Sequence, residues 1–201
     1  MDIFFSPLAC SMASRIVVYE AGGQANFIRV DTKAQRTADG QDYAKINPKG
    51  LVPAIRTDEG EVLTENAAVL QYVADQYPDS GLAPNGFDRS LLQQWLNFIG
   101  TELHTGVFHA LFVGNDGAKA FARDEAVKRL GYLNDHLDGR DWLLDRFTVA
   151  DAYLAVVLNW AAFVKLDLAP YPNVAAFLDR AKARPSIAKA MSEEFALFQA
   201  A

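Results

Sequence analysis

The chain has 201 residues, 51% of them apolar and 22% charged, the make-up of a folded globular protein and not of a disordered or fibrous one. A formal net charge of −6 disfavours nucleic acid as a partner, and no run approaches the roughly twenty apolar residues of a membrane span. One cysteine, Cys10, allows no internal disulfide, three histidines without ligand-like spacing argue against a metal, and the N-terminus lacks a basic, apolar leader; the expectation is a cytoplasmic protein in which Cys10 is a free thiol.

This length suits one compact body or two small packed domains. Short β-prone runs at residues 3–5, 27–30, 54–56 and 61–63 alternate with helical patterns at 11–22 and 65–77, which predicts β-α-β, then a hairpin and a helix. The hairpin turns at Asp58-Glu59-Gly60, and the closing helix starts after Thr64 with an apolar face of Val69, Leu70 and Val73. Two prolines and two glycines in residues 77–86 break any regular element. Beyond them the periodicity is helical, near 88–113, 119–138, 148–164, 173–183 and 186–197. The expected organisation is an α/β domain over 1–78, a linker over 79–87 and an all-α domain over 88–201.

Val52-Pro53 follows Asn47-Pro48-Lys49-Gly50, and Glu65-Asn66 comes twelve residues later. A strand that opens on proline keeps part of its backbone out of ladder pairing, and a cis Val52-Pro53 bond would turn those groups towards a ligand. Cys10 precedes a helical pattern, so unpaired N–H groups are expected to favour its anion. An unperturbed cysteine is only about 3% thiolate at pH 7, and a fall of about two pKa units would raise this to roughly three quarters. Alanine stands at position 13, where a dithiol motif would carry its second cysteine, so redox chemistry here would be monothiol. Thr148-Val149-Ala150-Asp151 reads as a capping box that starts a helix apolar on all sides, hence a core helix. Along the preceding long helix, Trp95, Phe98, Phe108, Leu111 and Phe112 read as packing residues, some available to line an apolar pocket.

Several of these motifs, in order along nearly the whole chain, resemble the bacterial beta-class glutathione transferases: Ser6-Pro7-Leu8-Ala9-Cys10-Ser11, Ile46-Asn47-Pro48-Lys49-Gly50-Leu51-Val52-Pro53, Leu63-Thr64-Glu65, Trp95-Leu96-Asn97-Phe98, Glu102-Leu103-His104 and Phe147-Thr148-Val149-Ala150-Asp151-Ala152-Tyr153. The resemblance implies a thioredoxin-like N-terminal domain, a helical C-terminal domain, a homodimer, and glutathione as co-substrate with a small apolar electrophile. It implies catalytic roles for Cys10, Ser11 and His104. It also implies glutathione contacts from the Val52-Pro53 backbone, from Glu65 and Asn66 to the γ-glutamyl end, and from Lys33 or Gln35 to the glycine carboxylate. Asn97 and His104, seven residues apart, are expected on one helix face, and Glu102 is expected to reach the ligand's amino group across a dimer interface. Two positions depart from the family: Gln35 and Thr105 stand where relatives carry lysine. The reading that leads is conjugation of glutathione to electrophiles; a Cys10 mixed-disulfide thiol transferase and a non-catalytic binding protein of the same fold are the alternatives.

Overall fold

The structure is a computed structural model that describes residues 1–200. It divides into two compact units, Met1–Ala83 joined by the segment from Pro185, and Pro84–Arg184.

The first unit holds a five-stranded sheet in the order β3-β2-β1-β4-β5, built from β1 (Asp2–Phe5), β2 (Asn26–Asp31), β3 (Arg36–Thr37), β4 (Ala54–Arg56) and β5 (Val62–Thr64). β1 is central, parallel to β2 and antiparallel to β4, and Ile3, Phe4 and Phe5 are all buried, as befits a strand covered on both faces. Helix α1 (Met12–Glu20) makes the crossover between the parallel pair, and α2 (Asn66–Asp75) follows the β4-β5 hairpin with Val69, Leu70 and Val73 buried. This is the thioredoxin-like order expected. The two-residue β3 was not anticipated: it carries no periodic signal, and it forms by pairing Val30 with Thr37 and Asp31 with Arg36.

The second unit is helical: α3 (Phe87–Asn97), a continuing segment Phe98–His109, α4 (Ala110–Val113), α5 (Asp116–His136), α6 (Val149–Asn159) and α7 (Pro172–Lys182). The capping box is present at the start of α6: Asp151 Oδ2 accepts from the Thr148 N–H at 2.8 Å and from its hydroxyl at 2.9 Å, while Oδ1 accepts from Leu143 N–H. As its composition predicts, every residue of α6 from Val149 to Leu158 is buried.

Two features differ from expectation. The last helix, α8 (Pro185–Gln199), belongs with the first unit, packed on α1, and not with the other helices. Its face of Ile187, Ala190 and Glu194 is buried, and Glu194 pairs with Arg15 of α1 at 2.9 Å. The second feature is the segment Phe98–His109, a π-helix twelve residues long, with hydrogen bonds five residues back. Its buried residues are Ile99, Leu103, Val107 and Phe108. A turn wider than 3.6 residues no longer returns position i+7 to the same face. Asn97 is exposed and His104 is half-buried.

Candidate functional site

The segment 6–11 joins β1 to α1 and is closed by its own ends. Ser11 Oγ accepts from the Ser6 N–H at 3.2 Å and lies 3.3 Å from the Ser6 carbonyl, to which it donates. Ser11 is fully buried and holds this turn. Leu8 sits at φ +61°, a left-handed conformation, and its N–H donates to Glu194 Oε2 at 2.8 Å.

Cys10 lies at the start of α1, as expected, but its acidity does not. Burial pushes the thiol up to about 12; the N–H groups of Cys10 and Ser11 act in the opposite direction, and the charges of Glu65 and Glu194 raise it further. At neutral pH Cys10 is therefore a neutral thiol, and its Sγ donates to the Val52 carbonyl at 3.3 Å. The helix terminus is outweighed by desolvation together with two carboxylates.

The Val52-Pro53 bond is cis. The loop before it is anchored at Leu51, whose carbonyl accepts from the Tyr43 hydroxyl at 2.8 Å and from Asn47 Nδ2 at 2.7 Å. Gly50, at φ +68°, makes the turn, and a Cβ there would stand 2.8 Å from the Gln35 carboxamide. That contact fixes what Gln35 does: its Nε2 donates to the carbonyls of Thr32 and Gly50, and its buried Oε1 has no partner. Gln35 thus braces the loop from beneath and offers no donor outward. Lys33 is exposed, its N–H taken by the Asp31 carboxylate.

At the start of α2 two side chains behave oppositely. Glu65, at φ +73°, is exposed and paired with Lys49, whose ammonium also donates to Thr64 Oγ1 at 2.7 Å. Asn66 is buried, and neither atom of its carboxamide has a hydrogen-bond partner. A buried amide left unsatisfied is unfavourable, and here it stands beside the first free N–H groups of a helix. Together these groups suit an amino-acid end group, with the helix N–H groups and Asn66 for a carboxylate and Glu65 for an ammonium.

Within the helical unit, His104 Nδ1 lies 2.6 Å from the hydroxyl of Tyr153 on α6, and its ring meets Trp160 edge-on at 4.9 Å. Burial, with a smaller contribution from His109, lowers its pKa to about 4, so the ring is neutral at pH 7. In the tautomer in which Tyr153 donates, Nε2 carries the ring proton. Glu102 forms an ion pair with Arg129 of α5 at 2.8 Å. Thr105 donates to the Gly100 carbonyl at 2.8 Å, the side-chain counterpart of the π-helical turn.

Sequence reading missed Lys49, Tyr153 and Glu194. Lys49 lay inside a quoted motif, and its distance of sixteen residues from Glu65 gave no local signal. Tyr153 and Glu194 meet their partners 49 and 186 residues away. Among the described residues no helix is long and apolar enough to cross a membrane, and no group of three or more His, Cys, Asp and Glu side chains could hold a metal ion.

Residues 2–75 match the family model "Glutathione S-transferase, N-terminal domain", and residues 93–180 match "Glutathione S-transferase, C-terminal domain". Glutathione S-transferase GstA of Escherichia coli O157:H7 is 43% identical over 199 residues, which covers 96% of this chain and 98% of that one. The solved structure of a sphingomonad glutathione S-transferase complexed with glutathione superposes with a TM-score of 0.93 at 42% identity, covering 97% of this chain and 99% of the other. The bacterial beta-class enzyme of Sphingomonas chungbukensis gives 0.92 at 40% identity, with 96% and 98% covered. With its βαβ-hairpin sheet and helical second unit matched end to end, the chain belongs to the glutathione S-transferase family, among its bacterial beta-class members.

Proposed function

We propose that the chain transfers reduced glutathione to small apolar electrophiles, and that Cys10 acts as a neutral hydrogen-bond donor and not as a nucleophile. The observation that carries the binding half is the buried, unpartnered carboxamide of Asn66 at the head of α2. Glutathione's γ-glutamyl end bears a carboxylate and an ammonium, which the α2 terminus with Asn66 and the Glu65 carboxylate complement. On this reading the ammonium displaces Lys49 from Glu65. Because that pair is solvent-exposed, the exchange is close to neutral in energy.

The chemical half follows from the acidity of Cys10. A thiol raised to about 12 forms almost no thiolate at neutral pH, and mixed-disulfide chemistry starts from thiolate. An S–H aimed at the Val52 carbonyl is instead free to turn to an incoming sulfur anion, favouring glutathione as thiolate. The glutathione sulfur then attacks the electrophilic carbon, a C–S bond forms, and a leaving group such as halide departs with the bonding pair. Glutathione contacts from Lys33 and Gln35 have little support: one is exposed and the amide of the other is engaged with backbone. For His104, the neutral ring supports a donor and not an imidazolium. A homodimer is part of the reading, supported by exposed Phe87, Val127 and Tyr132 on α3 and α5, and light scattering on the eluting protein tests it.

The test is retention on immobilised glutathione, followed by mass spectrometry of the eluted chain with and without reductant, and turnover of an activated aryl halide by Cys10→Ala. Retention without a reductant-sensitive adduct, and conjugation that survives in Cys10→Ala at about a tenth of the original rate or better, are the expected results. An adduct on Cys10 would replace this reading by thiol transfer, and absence of retention would remove glutathione altogether.

A further inference from the structure

Glu194 of α8 is a carboxylate with no exposed surface, and it faces the loop that carries Cys10. Its two oxygens have different partners: Oε2 accepts from the Leu8 N–H at 2.8 Å, and Oε1 from Arg15 Nε at 2.9 Å. Leu8 occupies a left-handed conformation that a leucine does not favour, two residues before Cys10, so this turn needs a hold from outside the loop. Ser11 closes the 6–11 loop at its base, and Glu194 reaches its crest.

We propose that Glu194 is a positioning residue for the thiol loop: it holds Leu8 in its left-handed turn and sets a carboxylate against the segment that carries Cys10. The inference rests on reading residues 6–11 as the thiol loop of a glutathione site. Burial is the main reason that the Cys10 thiol stays protonated, and the Glu194 charge adds to it.

The charged and titratable groups around it come from three directions. Arg15 on α1 neutralises Glu194, also reaches Glu193 at 3.4 Å, and lies over the rings of Phe5 and Phe27 at 4.4 and 3.9 Å. Tyr19 of α1 donates to Glu193 at 2.6 Å, and Lys189 of α8 sits over the Tyr19 ring at 3.9 Å and 3.8 Å from Glu193. Cys10 feels both Glu194 and Glu65. Burial pushes Glu194 up to about 7 against the opposing pull of Arg15, so its charge changes around neutrality. As pH rises through that point an anion appears beside Cys10, and the thiol becomes harder to ionise. Residues 1–83 and 185–200 contain no histidine, so no imidazole in this unit titrates in the same range.

The experiment is the rate of Cys10 alkylation by iodoacetamide on the full chain without glutathione, from about pH 6 to about pH 10, followed by mass spectrometry. In the wild type the logarithm of the rate should climb with pH, flatten around neutrality as Glu194 ionises, and climb again. Glu194→Gln keeps a carbonyl oxygen for the Leu8 N–H but removes the charge. Its profile should lack the flattening and lie about three- to tenfold above the wild type at about pH 8. Superimposable profiles would overturn the proposal, because a merely structural role for Glu194 moves no ionisation. If Glu194→Gln does not fold, a wild-type profile without the flattening overturns it alone. Because no glutathione is present, failure of the wild type on immobilised glutathione counts against the proposed function and leaves this result standing.

Discussion

Asp151 and Asn66 both sit at the first turn of a helix and both are buried, yet they are opposites in satisfaction. The two oxygens of Asp151 take three donors, the Leu143 N–H and the N–H and hydroxyl of Thr148. The carboxamide of Asn66 takes none. Folding accounts for the first: a buried acceptor whose donors are all supplied by the chain fixes the start of the core helix α6. It does not account for the second, since an unsatisfied buried amide destabilises the fold that contains it. On the function proposed above, the contrast separates a polar group kept for structure from one kept for a ligand. On that reading Glu65, at positive φ, exposed and paired with Lys49, belongs with the second kind, whereas Thr148 belongs with the first.

The comparison breaks most readily at Asp151. Asp151→Ala leaves three buried donors without an acceptor and should lower stability by about 3 kcal/mol or more in urea unfolding; Thr148→Ala should lower it by about 1 kcal/mol. A loss under about 0.5 kcal/mol in Asp151→Ala would mean that the box is ornamental. Asn66→Ala should do the reverse, leaving unfolding midpoints unchanged or slightly raised while weakening glutathione about tenfold or more by calorimetry. Equal damage to stability from both alanines would erase the distinction.

The two regions are also separable by pH. Asp151 is raised by burial from 3.8 to about 6, and Glu194 from 4.5 to about 7. A carboxyl group that holds its proton longer in the folded chain contributes stability that is full below its unfolded pKa and is lost as pH rises through its folded pKa. Thermal midpoints should therefore fall from about pH 4 towards about pH 7. Asp151→Asn should remove the lower part of that decline and Glu194→Gln the upper part. A midpoint that rises through this window in the wild type would contradict both raised values. The smallest effect belongs to Glu65→Gly, which relieves the left-handed backbone and should raise stability by about 1 kcal/mol while weakening glutathione. If stability falls instead, the conformation at Glu65 is not strained and the exposed carboxylate has a folding role.

Much of this was legible beforehand because the signals were local. The spacing of Val69, Leu70 and Val73 placed α2, Thr148 and Asp151 three apart announced the box at α6, and the all-apolar run after them marked a core helix. Glu65-Asn66 could be placed at a helix start by the β-hairpin before it. What failed involved distance or a competition. The α-helical period was applied through Phe98–His109, which is π-helical. The α8 amphipathic face showed a helix but not which unit it would cover. Gln35 stood out as a departure, but its engagement with Thr32 and Gly50 depends on how the loop folds over it.

By itself the sequence determined the elements, their order, the turn and cap residues and the family, because each depends on residues within about a helical turn or hairpin of one another. Only the tertiary structure decided that α8 closes over α1, that Lys49 pairs with Glu65, and that burial and two carboxylates raise the Cys10 thiol. The physical reason is that acidity sums burial and charge from all directions. At Cys10 a favourable helix start is outweighed by desolvation, by Glu65 and by a carboxylate that the chain supplies from 184 residues further on.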